Sequence, residues 1–190
     1  MSGPQTPANA DPFRAAADAV LDHLAARYPC DCWLVIRLVT NQRTEPAATV
    51  DLATIESARG LQLDFDIGTR FDWHGSLCAT LFRAGRSGLV EDLTAIPSCR
   101  ELKWVARDGV ASFHGTAIRH ADGALAGCIC ALHRQPWPRD KVPDQTTLDL
   151  IARLLGSIHT LEQEMLQHRE RADRFEADSL TDPLTNVYNR

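Results

Sequence analysis

Apolar and polar positions along this chain repeat with two different periods. Behind Asp11-Pro12, an N-cap residue followed by proline at the first helical position, Phe13, Ala16, Ala17, Val20, Leu21, Leu24 and Tyr28 recur at helical spacing until Pro29 stops the run. This predicts an amphipathic helix. Trp33 to Val39 is a β-rich run of strand length, and Thr49 to Ile55 alternates less cleanly. Gly60 introduces Leu61 to Ile67, an almost strict period-two pattern ended by Gly68, which predicts a half-buried strand. From Trp73 to Arg83 the spacing is helical again, with Ser76 as a possible cap, and Gly88 to Val90 is a short strand. Residues 98–107 predict another short helix, capped by Ser98. Two longer strands, Ala111 to Arg119 and Ala124 to His133, flank Asp122-Gly123, a hairpin signal, and Pro136 and Pro138 end regular structure.

The last third is different in kind. From Asp144 to Ser179 there is no proline and only one glycine, Gly156. Ile151, Leu154, Ile158, Leu161, Met165, His168, Ala172 and Phe175 alternate spacings of three and four, a heptad seam with charged flanks such as Glu162, Glu164, Arg169 and Glu170. A two-residue stripe of this length points to a partner helix, and hence to a homodimer through residues 148–178; the alternative is one helix packed on its own domain. His168 is the polar interruption of that seam. Leu148 and Leu155 lie off it and are expected to face the globular part.

Composition narrows the class. With 190 residues, 44% apolar and 24% charged, the chain is globular, with length for one domain and an appendage. A net charge of −5 leaves no excess of cations for phosphates, so nucleic acid is not an expected partner. No apolar run approaches the roughly 20 residues of a membrane helix, and Met1 to Pro12 has neither a basic start nor an apolar stretch. The expectation is a cytoplasmic protein without a membrane partner. Most of the six cysteines, Cys30, Cys32, Cys78, Cys99, Cys128 and Cys130, are then expected reduced and buried, and their C-x-C pairs lack the spacing of structural zinc sites.

Four stretches carry a family resemblance: Gly75 to Thr80, Gly85 with Gly88 to Asp92, Gly109 to Gly115, and Asp122 to Leu132. In this order they resemble a GAF sensory domain over roughly residues 13–138. The resemblance implies an α+β fold, an antiparallel sheet flanked by helices, followed here by a long C-terminal coiled-coil helix. Residues 179–190 resemble the opening of a GGDEF domain, the diguanylate cyclase family: Asp182, Leu184, Thr185, Asn189 and Arg190 match its pattern, while Asn186 and Val187 depart from it. The expected organisation is a flexible tail over 1–10, a GAF-like domain over 11–138, a signalling helix over 139–178, and the truncated start of a GGDEF domain over 179–190. The resemblance implies that such a protein makes cyclic di-GMP from two GTP molecules. This chain holds no GGDEF run, so the cyclase chemistry is expected outside it.

The GAF resemblance implies a ligand between one sheet face and the cross helices. The candidates are Trp73, His74, Ser76 and Cys78, then Asp92, Arg100 and Trp104, then Phe113 and His114; aromatics with a few polar groups suit an organic ligand. Trp73, Trp104 and Phe113 have an ordinary core role as their alternative, the histidines a surface or hydrogen-bonded one, and Asp92 a loop-capping one. The cyclic-nucleotide signature and the Cys-His of bilin-binding relatives are absent, so the ligand and any cofactor are unknown. Residues i and i+2 of a strand share a face, so Cys128 and Cys130 should point the same way. The resemblance places the first strand beside the last, so Cys30 and Cys32 could approach that pair and form a redox-sensing disulfide; the apolar run around them argues for inert burial instead. The leading expectation is a sensory and dimerisation module of a diguanylate cyclase. The alternatives are a thiol enzyme like the GAF-fold free methionine sulfoxide reductases, or a structural GAF domain without ligand.

Overall fold

The structure is a computed structural model that describes residues 11–39, 52–60, 62, 63, 65–137 and 139–179. Helix α1, Pro12–Arg27, starts where the sequence predicts: the Asp11 carboxylate accepts from the Arg14 amide at 2.9 Å. The strands are β1, Cys32–Val39; β2, Leu52–Gly60; β3, Arg70–Asp72; β4, Gly88–Val90; β5, Ser112–Arg119; and β6, Leu125–His133. Among the described residues all pairings are antiparallel, in the order β3-β2-β1-β6-β5-β4, so the first strand lies beside the last. Short helices α2, Leu77–Arg83, α3, Pro97–Arg100, and α4, Lys103–Ala106, cross one face. Helix α5, Gln145–Ser179, packs with α1 on the other. This is the α+β arrangement expected from the sequence.

Period two explains the two layers. In β1, Cys32, Leu34 and Ile36 face the cross helices, while Trp33 and Val35 face α1 and α5. Each large aliphatic or aromatic side chain fully removed from water contributes about 1.5–3 kcal/mol. The outer layer joins Phe13, Leu21 and Leu24 of α1 to Leu148, Ala152 and Leu155 of α5, so Leu148 and Leu155 face the body as expected. Asp144 caps α5, accepting the Thr147 amide at 2.9 Å and its hydroxyl at 2.6 Å.

Three local expectations change. No strand forms over the described part of 61–67, because the Gln62 and Leu63 amides turn off the sheet to the Asp31 carbonyl, and Leu63 and Phe65 enter the core from a loop. The edge position beside β2 is taken by β3 instead. The helix expected from Trp73 begins at Leu77, because the Ser76 hydroxyl caps it, accepting the Ala79 amide at 3.1 Å. The helix expected over 98–107 divides into α3 and α4; Pro97, not Ser98, opens the first turn, and Leu102 leaves helical geometry between them. The expected tail 1–10 and the GGDEF-like residues 180–190 lie outside the described residues.

Candidate functional site

Three features concentrate chemistry: the inner sheet face under α2, the junction of α1, β1 and α5, and the free side of α5. At the first, the Ser76 cap places Cys78 on the buried side of α2, against Cys128 and Cys130 of β6. The three sulfurs lie within 4.8 Å of one another, with Cys78 Sγ 3.8 Å from Cys130 Sγ. Gly115 of β5 makes room: a Cβ there would stand 2.7 Å from Cys130 Cβ and from the Phe113 ring. The thiol hydrogen bonds of Cys128 and then Cys130 hold the Cys78 thiol down, at about 5, against the effect of burial. Burial pushes Cys128 well above the ordinary thiol value, and hydrogen bonding to Cys128 and Cys78 does the same for Cys130. The set therefore gives up one proton far more readily than a second.

Cys128 and Cys130 share a face, but their third partner is Cys78, assigned from the sequence to a ligand pocket. The β1–β6 register sets Leu34 opposite Cys130 and Ile36 opposite Cys128, which leaves Cys32 opposite Leu132. Cys30 packs in the other layer, where burial and the neighbouring Cys32 push its thiol up. All six thiols are buried and unbridged. A four-cysteine cluster with Cys30 and Cys32 is thus replaced by a three-cysteine one.

The other ligand candidates scatter for the same geometric reason. Trp73, Ser76 and Phe113 are buried on the inner side, with Phe82 between the Trp73 and Phe113 rings, 6.3 Å from each. Trp104 is half-buried against Phe65 and Phe71, at 5.1 and 5.7 Å. His114 follows Phe113 and so points to the opposite layer, where Nε2 lies 3.2 Å from Gln145 Oε1 of α5. His74 and Arg100 are exposed. Exposed Asp92 orders its loop through the Thr94 amide and hydroxyl, and those bonds, the hydroxyl first, hold its carboxyl below the usual range.

At the junction, Arg37 projects from β1 between α1 and α5. Its guanidinium donates to Asp11 at 2.9 Å, Glu56 at 3.0 Å and Glu162 at 3.1 Å, and lies over the Phe13 ring. His159 of α5 sits beside this hub, its ring 5.2 Å from Phe13 and 4.9 Å from His120. Burial, then the Arg37 and His120 charges, push its pKa down to about 4. Burial, then Asp11, pushes Glu162 upward. A cleft of about 900 Å³ opens here, bordered by Arg37, Glu56, His120, His159 and Glu162. The sequence reading missed this hub; its one signal is Arg37, a cation inside the otherwise apolar run Trp33 to Val39.

Helix α5 has two unlike sides. Leu148, Ala152, Leu155 and His159 are buried against the body, and the seam residues Ile151 and Ile158 are partly covered there. Leu154, Leu161, Met165 and Phe175 of the same seam are 57, 58, 56 and 76% exposed, and His168 and Ala172 are exposed as well. Gly156 is where the helix meets the sheet, since a Cβ there would lie 2.0 Å from the Arg119 carbonyl oxygen. Among the described residues no helix is long and apolar enough to cross a membrane.

No family model matches the chain, and no curated protein does. Solved structures do. The GAF domain region of a putative membrane protein from Geobacter sulfurreducens PCA superposes with a TM-score of 0.52 at 19% identity, over 79% of this chain and 93% of that one. A type II free methionine-R-sulfoxide reductase from Thermoplasma acidophilum gives 0.53 at 15% identity, over 77% of this chain and 91% of that one. The fold is GAF-like.

Proposed function

We propose that this chain is the sensory and dimerisation module of a diguanylate cyclase, with two copies of α5 paired along the heptad seam. The observation that carries the reading is the division of α5: one side is bound into the GAF-like body, while Leu154, Leu161, Met165 and Phe175 stand more than half exposed on the seam. A second copy offers a stripe of the same spacing to cover them. Over its 35 residues α5 spans about 52 Å, long enough to carry a displacement from the body to a distant domain. Arg37 is the mechanical link, since it ties Glu162 of α5 to Asp11 and Glu56 of the body. The likeness of residues 179–190 to a GGDEF opening supports a cyclase as the output, and joining two GTP molecules needs two catalytic domains face to face. A thiol enzyme is less well supported, because all six cysteines are buried.

Light scattering at high micromolar concentration tests the pairing. The wild-type chain is expected at twice its sequence mass and the double variant Leu154→Glu, Leu161→Glu at one chain mass with unchanged circular dichroism. A wild-type monomer refutes the reading. Joining Arg190 to a cyclase catalytic domain that lacks its own sensor tests the output: cyclic di-GMP synthesis is expected from the wild-type fusion and lost with the double variant.

A further inference from the structure

The three sulfurs under α2 have the makings of an ion site. A first-row metal makes thiolate bonds of about 2.3 Å, so three sulfurs around one ion in a plane stand about 4 Å apart. Here one pair is 3.8 Å apart and all three lie within 4.8 Å. They come from a capped helix and a central strand, and Gly115 keeps the space beside Cys130 clear. We infer that Cys78, Cys128 and Cys130 form a binding site for one soft monovalent metal ion, Cu(I), held by three sulfurs in a dry interior.

The donor set and its burial select the ion. Thiols favour soft ions over Mg²⁺, Ca²⁺ or Mn²⁺. A closed zinc site takes four ligands and an open one keeps a water; this cluster supplies three ligand groups and all three are fully buried. Iron–sulfur clusters are commonly held by four cysteines. Cu(I) needs no fourth ligand, which suits three buried sulfurs with no other donor group in the cluster. Each sulfur binds as thiolate: its S–H bond breaks, a Cu–S bond forms, and the proton leaves for solvent. No electron is transferred, since copper arrives and stays as Cu(I). With every sulfur enclosed, loading requires the seven-residue α2 to lift from the sheet, so uptake is slower than diffusion.

The test is anaerobic titration of the full chain with Cu(I) against a colorimetric Cu(I) chelator. One ion per chain is expected, with protons released on binding, a raised melting temperature, and three sulfur neighbours by X-ray absorption. Cys130→Ser should weaken binding at least about 100-fold, while Cys99→Ser, a buried thiol outside the cluster, should leave it unchanged. Should Cys130→Ser not fold, the absorption spectrum of the wild-type complex decides alone. Fewer than three sulfurs around copper, Cu(I) retained no better than by the unfolded chain, or Zn(II) displacing Cu(I) at equal concentration each overturns the assignment.

Discussion

His159 offers the sharpest quantitative test of how α5 is joined to the body. Its side chain is buried between Phe13, His120 and the Arg37 hub, and Nδ1 has no hydrogen-bond partner. Burial first, then the Arg37 guanidinium and the neighbouring His120, hold its folded pKa at about 4, against about 6.5 in the unfolded chain. The folded value is the depressed one, so the unfolded chain takes up the proton first as pH falls. The contribution is fully present above about pH 6.5 and is lost progressively down to pH 4. At pH 4.5 the loss comes to about 2–3 kcal/mol. His159→Phe keeps an aromatic ring against Phe13 and removes the titration. Denaturant unfolding at pH 7.5, 6, 5 and 4.5 should then show wild type losing about 2–3 kcal/mol more than the variant. Asp11 and Glu162, whose carboxyls are shifted as well, are present in both proteins, so their contributions largely cancel in the comparison. Parallel stability curves for the two proteins would refute the account of His159 as a buried neutral imidazole.

Two further outcomes probe the packing on either face of the sheet. Gly156→Ala sets a methyl group against the Arg119 carbonyl oxygen, so it should destabilise by about 1–3 kcal/mol. Hydrogen exchange should show faster exchange for amides 148–159 and no change in 165–175, since only the docked part of α5 is pushed away. Phe113→Ala empties a fully buried site beside Phe82 and should lower unfolding free energy by about 3–5 kcal/mol; a change under about 1 kcal/mol would show that α2 and α3 collapse onto the gap.

Much of the fold can be read from single residues. Asp11-Pro12 opens α1, Ser76 caps α2, Asp122-Gly123 lies in the hairpin loop, and the change to three-four spacing after Pro143 marks α5. Each signal is local: a side chain capping its own helix or a period repeated over a few turns. The failures are local patterns overruled from outside. Leu61 to Ile67 alternates like a strand, yet the Asp31 carbonyl captures the amides of Gln62 and Leu63 and β3 takes the sheet edge.

What chain order alone determined, then, is the set of elements, the shared face of Cys128 and Cys130, and the unusual stripe of α5. Only the tertiary structure decided which residues meet. The β1–β6 register puts Leu34, not Cys32, beside Cys130, and docking of α2 supplies the third sulfur from 52 residues away. Burial of α5 against β5 sorts its seam into a covered part and a free part, and the closing of α1, β1 and α5 around Arg37 assembles a charge hub from four separate segments. Register and docking are long-range choices set by how whole faces pack, and spacing within one element holds no record of them.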